Sequence, residues 1–472
     1  MSTKLCAVLA GLIVALIWLP PMVSLEYTPD SADYDAIATN LALGNGYREH
    51  DGNVATNRSP VYSVLLSVFY DAQTFIWQQR IIWFHRCLAF SIGATLVLYA
   101  ASHFGRLGMV CGLITAVLVG FDDELQYAAV QVLTELPATA LLMICVVATN
   151  WANQGSARRE YLTAICHVLL FMTRSALIFC GLGYGICLIL NAIRYRQIGA
   201  WERTLIFGGI CTVAVVAWSL YLWFATGQVV LLTTTGLSNM AAGLDPACVA
   251  ESHGLPIPRT DAELEAFWTA APPLQNSAAG TDCMMNAIKS PRQVLKMMIP
   301  KFKIAFLRTP NGVYFLGIFG LVLQGLGCTQ REKWSVYSSQ RWQDALMYGL
   351  AQAAYIAAFV VCTIGVCGLS HPVLKAAIVV CTLAIACTRV MPLARFRRSR
   401  HPNGALGQSM AIVVFGFVMM TFLAFGLPRF TRPFLPSLYL SAVMCVPLAF
   451  RLLMTSEQFR TTPIPPHSST AV

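Results

Sequence analysis

Long apolar runs separated by short polar connections dominate the chain. They fall at 5–25, 81–104, 107–121, 136–151, 161–173, 176–193, 205–226, 313–328, 345–369, 373–390, 410–427 and 434–450. Runs of this length match the hydrocarbon thickness of a bilayer, so the pattern predicts an all-α polytopic membrane protein of about 12 transmembrane helices. The first run is too long for a signal-peptide core and lacks a small-residue cleavage site before Glu26, so it is expected to stay as a span. The apolar stretch at 61–70 is too short to cross and is expected to dip into or lie on the outer leaflet. The weakest run, 161–173, carries His167 at its middle and ends at Arg174, and it reads either as a span or as a re-entrant segment. His167 itself reads as a packed core residue or as a functional one.

Charge orients these runs. Arg106, then Arg158 and Arg159, then Arg194, Arg196 and Arg203, then Arg331, Lys333 and Arg341, then Arg395, Arg397, Arg398 and Arg400 all fall in connections on one side. The positive-inside rule makes that side cytoplasmic, together with both termini. The polar connections at 26–63, 121–135, 227–312 and 428–433 then face outward. The expected organisation is an N-terminal membrane module (1–226), a small periplasmic cap (227–312), a C-terminal membrane module (313–452) and a cytoplasmic tail (453–472).

Composition narrows the function classes. With 57% hydrophobic and 11% charged residues among 472, the chain is far from a soluble globule. Its net charge of +10 resides in the orientation signal, so no nucleic-acid partner is expected. Of the 16 cysteines, most, such as Cys111, Cys145, Cys180, Cys187, Cys362 and Cys445, sit inside apolar runs as small hydrophobes. None shows metal-like C-x-x-C spacing.

The candidate chemistry lies in the polar loop around 27–63. Pro29, Asp30 and Ser31 open a short helix with Tyr34, Ile37, Ala38 and Leu41 at helical spacing, and Gly44-Asn45-Gly46 ends it. Asp30 and Asp33 therefore sit at the helix start, where free N–H groups and the helix dipole favour a carboxylate, either as a base or, for Asp30, simply as an N-cap. In the cap, Cys248 and Cys283 are the only two cysteines, and an oxidising compartment would pair them. Ser290 and Pro291 then start a helix that gathers Lys289, Arg292, Lys296 and Lys303 on one stripe, suited to lipid headgroups or to a substrate phosphate, with Pro300 kinking it.

Taken in order, these pieces resemble the GT-C superfamily of polyprenyl-phosphate-sugar glycosyltransferases, in the branch of protein O-mannosyltransferases and the lipid A aminoarabinose transferase. Asp30-Ser31-Ala32-Asp33-Tyr34, with Ala38, Asn40-Leu41, Gly44 and Gly46-Tyr47, is similar to the family's first outer loop. Its leading aspartate is the catalytic base, which implies that role for Asp30, with Asp33 in reserve. Arg58-Ser59-Pro60-Val61-Tyr62 resembles an Arg-x-Pro-Gly-Tyr-Pro segment, from which Val61 and Ser63 depart. Thr134-Glu135 resembles the second outer loop, preceded by Asp122-Asp123, and Thr173-Arg174 resembles a Thr-Arg-Pro segment without its proline. Gly236, Asn239 and Gly243 match part of a cap motif, Ser290-Pro291 through Lys303 its basic segment, and the turn from Pro428 through Arg429 and Arg432 to Pro436 its Arg-Tyr-x-x-Pro-x-x-Pro turn.

The resemblance implies a transferase at the outer face of the bacterial inner membrane. It would use a polyprenyl-phosphate-linked sugar donor and a glycan, lipid or protein acceptor, such as lipid A or lipopolysaccharide core. Substrate contacts are implied for Tyr34, Arg58, Tyr62, Asp122, Asp123, Glu135, Arg174, Asn239, Lys289, Arg292, Arg429 and Arg432, with the arginines suited to bidentate contact with phosphate. No cofactor is required, although Asp30, Asp33, Asp122, Asp123 and Glu135 could gather a divalent cation. The alternatives are a transporter or lipid flippase, which would usually show related halves and broken helices, and an assembly partner in envelope synthesis.

Overall fold

A computed structural model describes residues 2–21, 23–70, 74–152, 157–195, 198–270 and 277–290, scattered positions within 292–301 and 412–420, and most of 432–444. The runs expected at 313–328, 345–369 and 373–390, much of those at 410–427 and 434–450, Arg429, Lys296, Lys303 and the 453–472 tail lie outside the described residues.

The described chain is helical. α1 (Thr3–Trp18), α2 (Pro29–Ala42), α3 (Pro60–Phe69), α4 (Thr74–Gly120), α5 (Asp123–Val130), α6 (Glu135–Ala152), α7 (Ala157–Thr173), α8 (Ile178–Tyr195) and α9 (Ile198–Thr226) are followed by four shorter helices. These are α10 (Thr234–Leu244), α11 (Pro246–Ser252), α12 (Asp261–Ala270) and α13 (Ser277–Lys289). Among the described residues the only extended pairings are single bridges, Glu26 with Gln131 and Arg48 with Val54.

Among the described residues four helical stretches are long and apolar enough to cross a membrane: Trp77–His103, Glu135–Ala152, Ser175–Ile193 and Ile198–Thr226. A fifth is added if Gly105–Gly120 and Asp123–Val130, bent by 67° at the break, form one broken span. This composition associates the chain with a membrane. The run expected at 5–25 forms a helix only to Trp18, because Pro20 and Pro21 follow and the residue before a proline avoids the helical region. At 16 residues α1 measures about 24 Å, less than a hydrocarbon core. The run expected at 161–173 begins earlier, at Ala157, and α7 is 17 residues long with Glu160 buried in its first turn.

Small residues let the helices approach closely, as bilayer packing requires when lipid is as apolar as the side chains. α1 lies along α4, where a Cβ on Gly93 would come within 2.3 Å of the Ala10 carbonyl oxygen. α4 folds back on itself at Gly105, whose φ of 58° suits only glycine without strain. Its second arm returns so near the first that a Cβ on Gly108 would meet the Ala100 carbonyl oxygen at 2.0 Å. Trp18 donates its indole N–H to the Val119 carbonyl at 3.0 Å and closes the α1–α4 contact. α6 is buried on most sides, whereas α9 exposes an apolar surface along nearly its whole length, including Leu205, Val213, Val216 and Phe224. Such a surface needs lipid or a partner to cover it.

Candidate functional site

The polar loop is built on α2 and α3. Thr28, not Asp30, is the N-cap of α2: its hydroxyl accepts from the Ser31 N–H at 3.2 Å while the Ser31 hydroxyl accepts from the Thr28 N–H at 3.1 Å. This reciprocal box overturns the N-cap alternative for Asp30, which lies in the first turn behind Pro29. The helix ends before Gly44 and Gly46, with φ of 78° and 84°, the left-handed stop expected there.

Arg58, in the bend before α3, reaches back to α2. Its Nη2 lies 2.6 Å from Asp30 Oδ1 and 2.8 Å from Asp33 Oδ2, and its Nε donates to the same Asp33 oxygen at 3.2 Å. The guanidinium sits over the Tyr34 ring at 5.1 Å. Its side chain is 15% exposed, against 44% for Asp30 and 39% for Asp33, so the arginine is the buried member and the carboxylates are the open ones. Burial disfavours its charge, but Tyr34, Asp30 and Asp33 more than offset this and raise its pKa. Tyr47 holds the backbone here, donating from its hydroxyl to the Arg58 carbonyl at 3.0 Å.

Tyr34 joins this group to a second one. Its ring meets Tyr62 edge-on at 5.3 Å, and burial raises its phenol pKa, with Arg58, Glu135, Thr134 and Arg174 all acting on it. Glu135 and Arg174 pair at 2.9 Å with 7% and 11% of their side chains exposed, and Arg174 also donates to the Thr134 hydroxyl at 3.2 Å. Asp30, Asp33, Tyr34, Arg58, Tyr62, Glu135 and Arg174 thus form one continuous cluster, drawn from α2, the 58–62 segment, the head of α6 and the end of α7.

The remaining expected site residues that the structure describes have other contacts or are exposed. Asp122 is a structural N-cap of α5, accepting from the Leu125 N–H at 2.9 Å and from the Tyr439 hydroxyl at 2.7 Å. Asp123 is exposed. Arg432 is committed to Glu124, to which its Nε donates at 2.8 Å, and it lies over the Tyr127 ring at 5.7 Å. The carboxylates expected to gather a divalent cation are thereby separated into different partnerships, and among the described residues no group of three or more His, Cys, Asp or Glu side chains is placed to hold a metal.

The cap segment docks on the polar loop through α10. The Thr234 N–H donates to the Thr56 carbonyl at 2.9 Å, and the Thr235 hydroxyl donates to the Asn57 carbonyl at 2.7 Å. Thr233 and Ser175 share a hydrogen bond of 3.1 Å that brings the cap against the residue after Arg174. Asn239 is half-buried on α10, whereas Lys289 and Arg292 are exposed at and beyond the end of α13. Cys248 and Cys283 form a disulfide linking α11 to α13, with a Cα–Cα distance of 5.6 Å.

Three participants escape local sequence reading. Thr28 caps with a serine at the position where a glutamate would mark the motif. Glu124 finds its partner 308 positions away. His85, fully buried in α4, accepts or donates at both ring nitrogens within the cluster's support, and its only signal was a polar residue inside an apolar run. No protein-family model matches this chain, and searches of characterised proteins and of solved structures find nothing similar to it.

Proposed function

We propose that this chain is a membrane glycosyltransferase that moves a sugar from a polyprenyl-phosphate donor to an envelope acceptor at the outer face of the bacterial inner membrane. The observation that carries this reading is the contact of Arg58 with both Asp30 and Asp33 at the start of α2. Asp33 takes two of the guanidinium's N–H groups and orients it, while Asp30 takes one and is the more exposed carboxylate. Asp30 is therefore the base: it removes the acceptor hydroxyl proton as that oxygen attacks the anomeric carbon. The bond from that carbon to the donor phosphate breaks, and the charge left on the phosphate is met by Arg58.

The other residues support this geometry. Glu135 and Arg174 belong to the electrostatic surroundings of Tyr34, on whose ring Arg58 lies, and α10 covers the loop from the cap side. The donor's isoprenoid tail would lie in lipid beside the apolar helices. Radiolabelled polyprenyl-phosphate sugars presented to the purified chain in nanodiscs test the reading. Sugar transfer supports it, flux across a sealed vesicle without turnover favours the transporter or flippase, and neither result favours an assembly role.

A further inference from the structure

His85 is held at both ring nitrogens, at full burial, by two different parts of the fold. Its Nδ1 lies 2.9 Å from the Ala129 carbonyl oxygen and its Nε2 3.1 Å from the Tyr62 hydroxyl. A carbonyl only accepts, so Nδ1 carries the proton; the neutral ring then accepts the Tyr62 O–H at Nε2. An imidazolium at this depth would have no counter-charge among these contacts, which favours the neutral ring.

The carbonyl is available for a structural reason. α5 ends at Val130, so the carbonyls of its last turn have no partner within the helix. The Val130 carbonyl accepts from the Glu26 N–H at 2.9 Å, and the Ala129 carbonyl accepts from His85. The end of α5 is thus a fixed point to which the polar loop is tied directly through Glu26 and indirectly through His85 of α4. From it runs a chain of contacts: His85 to the Tyr62 hydroxyl, Tyr62 edge-on to Tyr34 at 5.3 Å, and Tyr34 under the Arg58 guanidinium at 5.1 Å.

We infer that His85 is a positioning residue that sets the place of Arg58 through Tyr62 and Tyr34. The inference rests on the reading of Arg58 as the group that meets the donor phosphate, but Arg58's position can be measured separately. In the full chain in nanodiscs, the rate of phenylglyoxal modification at Arg58, followed by mass spectrometry, reports how well it is held, and Arg203 on α9 serves as the reference for the rest of the fold. Tyr62→Phe removes only the hydroxyl, His85→Phe removes both hydrogen bonds, and His85→Gln retains an acceptor for Tyr62.

The expected result is a faster Arg58 reaction in Tyr62→Phe and in His85→Phe, no further gain in the double variant, a rate near wild type in His85→Gln, and an unchanged Arg203. Affinity for polyprenyl phosphate should fall roughly tenfold in Tyr62→Phe, the effect of losing one buried hydrogen bond, and at least as far in His85→Phe, which loses two. An unmoved Arg58, additive effects, or Arg58 and Arg203 rising together in Tyr62→Phe would overturn the positioning role. The expected reactivity shifts in the variants, together with a wild-type chain that does not bind polyprenyl phosphate, would instead overturn the transferase reading and leave the positioning role standing.

Discussion

Glu135 Oε1 and Arg174 Nη1 lie 2.9 Å apart in surroundings that leave almost nothing of either side chain to solvent. A buried pair of this kind is often no more stable than an apolar pair, but removing one partner strands the other charge. Glu135→Ala should therefore destabilise the fold by about 3–5 kcal/mol, and Glu135→Ala combined with Arg174→Met by clearly less. Thermal unfolding of the purified variants measures this. Losses in Glu135→Ala and Arg174→Met that simply add in the double variant would show that the pair is not coupled.

Asp30→Asn should leave α2 intact, because the cap is Thr28, and should lower turnover by roughly a hundred- to ten-thousandfold. Thr28→Ala should do the opposite, costing about 1 kcal/mol of stability and much less rate. Loss of rate at Asp33→Asn with normal turnover at Asp30→Asn would transfer the base role to Asp33.

Arg58→Ala should weaken donor use severely and Arg58→Lys should recover only part of it, because a lysine cannot span Asp30 and Asp33 while presenting a planar fork to phosphate. Steady-state kinetics with the donor varied would separate binding from rate. Wild-type kinetics in Arg58→Ala would remove this residue from the site.

Asp35 gives a pH-dependent expectation. Burial raises its carboxyl above the ordinary value, so the folded chain holds that proton more tightly than the unfolded one. Stability from this group is present at low pH and declines as pH rises from the unfolded pKa through the raised folded one. Asp35→Asn should raise the Tm at pH 7, with the gain vanishing below about pH 4. A Tm difference independent of pH would refute the assignment.

Breaking the Cys248–Cys283 link by paired substitution to serine should cost the cap about 2–4 kcal/mol and loosen α11 from α13. Limited proteolysis between α10 and α13, with and without reductant, reads this directly. Identical cleavage under both conditions would mean that the bridge does not restrain the cap.

Much of the helical layout in the first 226 residues was legible because burial in lipid forces long apolar runs, and α6 and α8 fall where those runs lie. Ends were harder. α1 stops at Trp18 and α7 begins at Ala157 because proline geometry and a buried Glu160 override simple hydropathy. In the site, Asp30, Asp33 and Arg58 were legible as a loop rich in charge, and Glu135 and Arg174 as charges at the ends of runs. Their convergence on Tyr34 depends on the α2, α3 and α7 packing, which no local spacing records. The contacts of Asp122 and Arg432 were hidden for the same reason: Tyr439 and Glu124 come from more than 300 positions away in the chain, with separations of 317 and 308.

Arg86 donates to the Leu19 and Pro20 carbonyls at 3.0 and 2.8 Å, at the place where α1 ends beside α4. Together with the Gly93–Ala10 approach, this brings the two ends of the long intervening segment to one point. Closing a segment costs chain entropy that grows only with the logarithm of its length, and the packing of the helix pair offsets that cost. The acidic loop can thus hold Asp30, Asp33 and Arg58 in register with only small apolar clusters beneath it, and a bulkier residue at Gly93 would disorder the loop without touching a single one of its side chains.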